Sequence, residues 1–424
     1  VTVPAQSVVV ARRPDGELRP LLEPPDPYRQ ATSAAVHLAV VLAGFDLAVA
    51  FGVSLVLPLV VLALPLWAKA VARYALAPAI LVLAVAAAAS GLVLSSLAAY
   101  DHEINQGSRV QMVGLLLSGM AAFVAVLWAR QTMPLARVVA LYGLGGVAGA
   151  VLDGRLTWKF GVAIPATFLI LGLLERRGPR GKPIVGILVL GLVGVVDDYR
   201  SYFAFCVLAA ALALWQIRPL DDGRSPSRWW PALLLGAMGA AVYLLTSTLL
   251  TAGYLGEGVQ QRSQEQIERS GSLLAGGRPE WAATLELAAL RPIGYGVGVI
   301  PNLEDVHVAK EGLDSINIGL NPERDRYMFG SEFRLHSIIA DLWVRFGLVG
   351  FALALTMVFA VVRGLSFSLA QRTATPAVLL AALLALWSFV FEPSTTYWVR
   401  VCVAMGFVLV VRRARPVEPA PARR

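Results

Sequence analysis

Apolar residues are gathered along this chain into long blocks, separated by short polar links. One polar stretch of about eighty residues, 256–335, interrupts the series. A helix that crosses a bilayer needs about 20 mostly apolar residues, and about 17 can suffice. Inside lipid the backbone must bond to itself, so each block is expected to be a helix. About twelve blocks meet the requirement: 33–51, 53–68, 76–100, 110–129, 135–152, 162–174, 183–196, 202–217, 231–255, 338–362, 375–391 and 395–411. The expected fold is therefore all-α, a polytopic membrane bundle of about twelve transmembrane helices with a large, partly helical external loop. Five regions follow: a tail at 1–32, helices 1–9 within 33–255, the loop at 256–337, helices 10–12 within 338–411, and a tail at 412–424.

Composition agrees. The 424 residues are 57% hydrophobic and 15% charged, with a mean hydropathy of +0.67. Soluble domains carry about 25% charged residues, so an ordinary soluble enzyme is excluded. The net charge of +8 comes from basic clusters between the blocks, so topology accounts for it and no nucleic-acid partner is expected.

Those clusters set the orientation. With the N-terminus in the cytoplasm, the inside links hold Lys69 and Arg73, Arg130 and Arg137, Arg176, Arg177, Arg180 and Lys182, Arg218, Arg224 and Arg228, and Arg363 and Arg372. The short outside links hold only Arg109, Arg155, Lys159, Arg200 and Arg400. This is the positive-inside pattern with both ends inside, and it puts the long loop outside. The first 30 residues, polar and Pro-rich, read as a cytoplasmic tail. Trp67, Trp128, Trp215, Trp229, Trp230, Trp387 and Trp398 stand at segment ends and read as interface anchors. Cys206 and Cys402 lie in apolar segments and read as packed thiols. The four histidines are too widely spaced to sign a metal site. Asp46 and His37, in the first segment, read as a structural pair.

The long loop holds the candidate chemistry. It opens on a Gln-, Glu- and Arg-rich stretch with an amphipathic pattern, from Gly256 to about Gly276. Then come Gly277-Arg278-Pro279-Glu280-Trp281, an apolar run, and Arg291-Pro292-Ile293-Gly294-Tyr295-Gly296-Val297-Gly298. Arg278, Trp281 and Leu285 fall at helical spacing, which predicts one shared face. The Gly-x-Gly-x-Gly run follows no strand, which excludes a dinucleotide site. It reads either as a tight turn or as backbone that approaches a bulky substrate.

These residues resemble the O-antigen ligase and O-antigen polymerase superfamily of bacterial membrane glycosyltransferases. The resemblance rests on Gly277-Arg278, Trp281, Pro292, Gly294 and Gly296, then His336 followed eleven residues later by Gly347-Leu-Val-Gly350. Asp197-Asp198-Tyr199-Arg200-Ser201 stands where the family has an upstream Ser-Arg stretch, and Ser337 stands where many members have Asn. The specific resemblance covers about 100 residues. It implies a GT-C-like enzyme of the bacterial cytoplasmic (inner) membrane whose active site faces the periplasm or exterior. The implied reaction is inverting and metal-independent and needs no cofactor. A glycan leaves an undecaprenyl-diphosphate donor and joins an acceptor glycan, itself free or lipid-linked, in building a cell-envelope polysaccharide. A chain-length regulator is a further partner that such a role leaves room for.

Elementary chemistry fits that implication. Guanidinium groups donate paired hydrogen bonds to phosphate, so Arg200, Arg278 and Arg291 are candidate ligands of the donor diphosphate. His336 is the candidate general base for an acceptor hydroxyl. Trp281 and Arg334 are supporting candidates. Glu392 either orients His336, binds a sugar or caps the last helix. Asp198, with Asp197, either pairs with Arg200 or approaches a metal. The competing class is a transporter or flippase of lipid-linked sugars, which would show paired broken helices and internal repeats.

Overall fold

The computed structural model describes residues 27–45, 48–176, 181–197, 199–217, 278–316 and 321–411, with short pieces at 10–12 and 18–20 and isolated positions between 233 and 264. The ninth predicted segment, the amphipathic stretch after it, Asp46, Asp198 and Gly277 lie outside the described residues.

The described chain is all-α apart from two small antiparallel ribbons. Strand β1 (Val10–Arg12) pairs with β2 (Leu18–Pro20), and β3 (Ala48–Ala50) pairs with β4 (Val53–Ser54). The apolar blocks form α1 (Pro27–Phe45), α2 (Val56–Leu62), α3 (Leu64–Val71), α4 (Ala77–Ala98), α5 (Gln106–Thr132), α6 (Leu135–Leu152), α7 (Ala163–Arg176), α8 (Gly181–Val196) and α9 (Arg200–Trp215). A π-helical turn, Trp158–Val162, leads into α7. The loop contributes α10 (Glu280–Leu290), α11 (Leu303–Ser315) and α12 (Pro322–Phe329). The chain then returns as α13 (Ile338–Ala370), α14 (Pro376–Phe391) and α15 (Ser394–Val408).

Five helices are long and apolar enough to cross a membrane: α4, α5, α6, the π-turn with α7, and α13. Four shorter apolar helices, Thr32–Phe45, Gly181–Val196, Ser201–Trp215 and Pro376–Phe391, pack beside them. The first two predicted segments need correction. The first helix stops at Phe45, and the β3–β4 hairpin takes up its expected end. The second is broken at Ala63 into α2 and α3, where Pro65 begins the new helix and has no N–H to continue the old one.

Helix α5 is the central mast, with 83% of its apolar window buried against 33% for α4. Trp398 of α15 lies against Gly119 of α5 and donates to the Leu116 carbonyl at 3.2 Å. Between α1 and α6, Gly44 and Gly145 let the backbones meet, the small-residue contact typical of membrane helices. The outer faces are apolar. Val82, Val85 and Val93 of α4 and Val185 and Val189 of α8 are all more than half exposed, as lipid contact requires.

Turns sort to two ends. At one, Arg130 donates to the Gly406 and Leu409 carbonyls at 2.7 and 2.9 Å and closes the C-terminus of α15. Tyr74 bridges Val411 there, and Gln216 clamps Ala374 through both its amide atoms. At the other end lie the α4–α5 turn, the start of α13, the α14–α15 turn and the loop helices.

Candidate functional site

The loop segment carries its own core. Leu287, Tyr295, Leu313, Met328, Phe333 and Leu335 pack with Ala98 of α4 and Trp343 of α13. The glycine run is a strap between α4 and α13. Gly347 interrupts α13 with φ of +68°, which frees the Val344 carbonyl. That carbonyl accepts from the Tyr295 and Gly296 amides at 2.9 and 3.0 Å. The Val297 amide donates to Gly91 of α4 at 3.2 Å. At Gly296, φ is +114°, and a Cβ would stand 2.3 Å from the Ser95 nitrogen. The close approach is therefore to the protein's own helices, and backbone groups freed by the kink find partners.

His336 sits just before α13 and is pinned on both sides. The Leu335 amide donates to Asp341 at 3.0 Å. Ser337 caps α13, and its hydroxyl donates to the Phe389 carbonyl of α14 at 2.9 Å. Between these anchors His336 adopts φ of +54°, a left-handed conformation that is uncommon for a residue with a side chain. Its Nδ1 is buried and has no hydrogen-bond partner. Its ring lies 5.5 Å from that of Tyr327. Burial and the neighbouring Arg278 hold its pKa below the ordinary imidazole value, while Glu280 and Asp341 pull the other way.

Arg278 and Trp281 meet the end of α14 together. Arg278 Nε donates to the Phe391 carbonyl and Trp281 Nε1 to the Val390 carbonyl, both at 2.9 Å. These two orphan carbonyls of a helix end thus fix the start of α10 beside His336. Leu285, predicted on the same face, is instead 65% exposed. Glu392 follows directly and accepts from Ser388 Oγ. Burial raises its pKa, and Arg400, Ser388 and Arg278 offset part of that rise. Glu392 does not cap the last helix. The Ser394 amide and hydroxyl both donate to Asp341, each at 2.8 Å, so the cap comes from α13.

Asp341 is the hub of a buried network. Arg345, one turn on, lies 3.5 Å from it and donates to Ser394 Oγ at 2.6 Å and to the Phe333 carbonyl at 3.0 Å. Glu332 completes the network, taking Ser108 Oγ and Arg334 Nε. Burial alone would raise the Glu332 pKa, but Arg345, Ser108 and Arg334 outweigh it and keep the carboxylate ionised. Arg334 also lies over the Tyr327 ring at 5.9 Å.

Arg291 joins a different cluster. It contacts Asp101 at 3.2 Å and His102 at 3.3 Å, and stacks on Tyr295 at 5.4 Å. His102 in turn bonds Asp305, the N3 residue of the Asn302 capping box on α11, at 2.7 Å. This cluster ties the loop to the α4–α5 turn. Arg200 opens α9, and Tyr199 before it lies within the fields of Arg400, Tyr397 and Glu392. Asp197 accepts the Lys159 amide at 2.8 Å. Among the described residues, no three of His, Cys, Asp and Glu converge as a metal site.

The structure thus brings His336, Arg278, Trp281 and Glu392 together, places Arg334 beside Tyr327 next to His336, and sets Arg291 apart. Sequence reasoning missed Glu280, Tyr327, Asp341 and Arg345. Glu280 is the notable one: its Oε2 is buried without a hydrogen-bond partner, and its field reaches His336. No protein-family model, curated protein or solved structure matches the chain.

Proposed function

We propose that this protein is a membrane glycosyltransferase. It moves a glycan from an undecaprenyl-diphosphate carrier to a hydroxyl of an acceptor glycan at the external face of the cytoplasmic membrane. The observation that carries the reading is His336. A buried imidazole nitrogen without a partner, in a left-handed backbone held by anchored neighbours, stands beside an arginine where membrane helices end. Groups arranged this way point to function rather than packing.

In this reading the acceptor hydroxyl attacks the anomeric carbon from the face opposite the leaving group. Its proton passes to the His336 ring as the new C–O bond forms. The old bond to the diphosphate oxygen breaks, and the electron pair leaves with the diphosphate. One such displacement inverts the anomeric configuration. Arg278 lies on the leaving-group side, where arginine rather than a metal ion offsets the charge that develops. Arg200, at the start of α9, is the second candidate there. Arg291 secures the loop through Asp101 and Tyr295. Glu280 and Glu392 are placed to accept hydrogen bonds from sugar hydroxyls.

The test uses purified protein in detergent with a lipid-diphosphate-linked glycan and EDTA. Release of free lipid diphosphate with a ladder of longer glycans is the result expected of a polymerase. Release only on adding a different acceptor marks a ligase. Tight binding of the lipid-linked glycan with no release under any condition contradicts the proposal and favours a transporter.

A further inference from the structure

The glycine strap lies deeper than a surface loop would. Exposed apolar side chains on α4 run from Val82 to Leu97, and the exposed Tyr100 and half-exposed Asp101 follow them. That change marks where the lipid-facing surface of α4 ends on the loop side. The chain leaves α10 near this level, because Arg291 pairs with Asp101 at 3.2 Å. It then descends. The Gly296 backbone meets Ser95, and the Val297 amide donates to the Gly91 carbonyl at 3.2 Å. Gly91 is six residues below Leu97, which is about 9 Å at 1.5 Å per residue. By Ile300 the chain has returned, and its amide donates to the Glu103 carbonyl at 2.9 Å. Helix α13 gives the same depth independently. Arg363, exposed on α13, belongs at the opposite boundary, since lipid does not accept a bare charge. Gly347, beside the strap, lies sixteen residues from Arg363. That is about 24 Å, short of the roughly 30 Å of a bilayer's hydrocarbon layer.

We propose that the corner from Leu290 to Ile293 is a re-entrant element whose partner is the lipid itself, with its apolar side chains set among the acyl chains of the loop-side leaflet. Ile293 is 52% exposed and Leu290 42%. A Cβ at Gly347 would stand 2.6 Å from both the Ile293 carbonyl oxygen and Leu94 of α4, so the corner adjoins both helices. Leu348, next on α13, is 56% exposed. The exposed corner therefore continues the lipid-facing surfaces of α4 and α13, and this continuity selects lipid over another protein as its cover. Backbone chemistry agrees. Irregular backbone persists at this depth only where its polar groups are bonded inside the protein. Pro292 has no N–H, and its carbonyl accepts from Trp343 Nε1 at 3.0 Å. The Gly294 amide donates to the Arg291 carbonyl at 3.0 Å, and the next three amides are bonded to α13 and α4. Arg291 holds its charge at the boundary through Asp101 while its neighbours insert. This anchor is independent of the chemistry at His336.

The experiment puts a nitroxide spin label on introduced cysteines of the full-length protein in vesicles of phosphatidylcholine and phosphatidylglycerol. Cys206 and Cys402 are buried and stay in place. Collisions with oxygen, which concentrates in lipid, are compared with collisions with a water-soluble nickel chelate. Val93→Cys, on the exposed face of α4, and Leu303→Cys, exposed on the loop, set the two limits. Ile293→Cys is expected to match Val93→Cys, with an oxygen-to-nickel ratio severalfold above that of Leu303→Cys. Leu290→Cys should also exceed Leu303→Cys, and it carries the test if the Ile293 variant does not fold. A label at Ile293→Cys as open to nickel as the one at Leu303→Cys would show a corner in water and overturn the proposal. A label shielded from both reagents would show cover by a second copy or another protein, and would overturn it too.

Discussion

His336 combines a left-handed backbone, a buried unpartnered nitrogen and an adjacent arginine. A base must be unprotonated to act, and burial with Arg278 lowers the pKa of this ring. Transfer should therefore be constant through neutral pH. It should fall only in acid, with a midpoint below the ordinary imidazole value of about 6.5. A pH–rate profile checks this, and a midpoint above that value contradicts it. Arg278→Ala should weaken binding of a lipid diphosphate by about tenfold or more, as loss of a charge-assisted contact does, read by titration of the detergent-purified protein. His336, Arg278 and Trp281 were legible in the sequence because motif spacing set them apart. Asp341 and Arg345 were not. Each looks like an ordinary residue of a helix start, and only the return of Ser394 from α15 gives Asp341 its cap to make. Breaking a buried ion pair of this kind costs about 3–5 kcal/mol. Asp341→Ala should accordingly lower the thermal unfolding midpoint well beyond Arg334→Ala, whose side chain is 38% exposed.

At the scale of elements, the kink at Gly347 and the strap at Gly294–Gly298 form one device. The break frees a carbonyl, and the strap supplies the amides. A Cβ at Gly347 would stand 2.6 Å from the Ile293 carbonyl oxygen in a backbone that disfavours side chains. Gly347→Ala should destabilise by at least about 1–2 kcal/mol from backbone handedness alone, whereas Gly181→Ala, which meets nothing within 4 Å, should be neutral. Thermal unfolding in detergent separates the two. The sequence marked these glycines but left their partner open between a turn and a substrate, since spacing does not say which backbone comes close. Hydropathy placed the long helices well. It read 53–68 as one helix because Pro65 sits inside an unbroken apolar run, and only backbone geometry divides the run into α2 and α3.

For the whole molecule, the charge pattern predicts which end faces outward, and an impermeant thiol reagent tests that prediction. Cys206 and Cys402 are buried and should not react. Leu303, at the start of α11, is 90% exposed. Leu303→Cys should be labelled in intact cells, and Thr373→Cys, in the α13–α14 link, only after lysis. The reverse pattern would place the site on the cytoplasmic face. The fold thus brings the loop, α13 and the α14–α15 turn to one end, and the proposed reaction would take place at the cluster they form. The most direct test is transfer by His336→Ala beside wild type, with equal amounts of folded protein and the same lipid-linked donor and acceptor. The account predicts that the variant still binds the donor but releases no lipid diphosphate above background. Wild-type release by the variant would show that His336 is not the base.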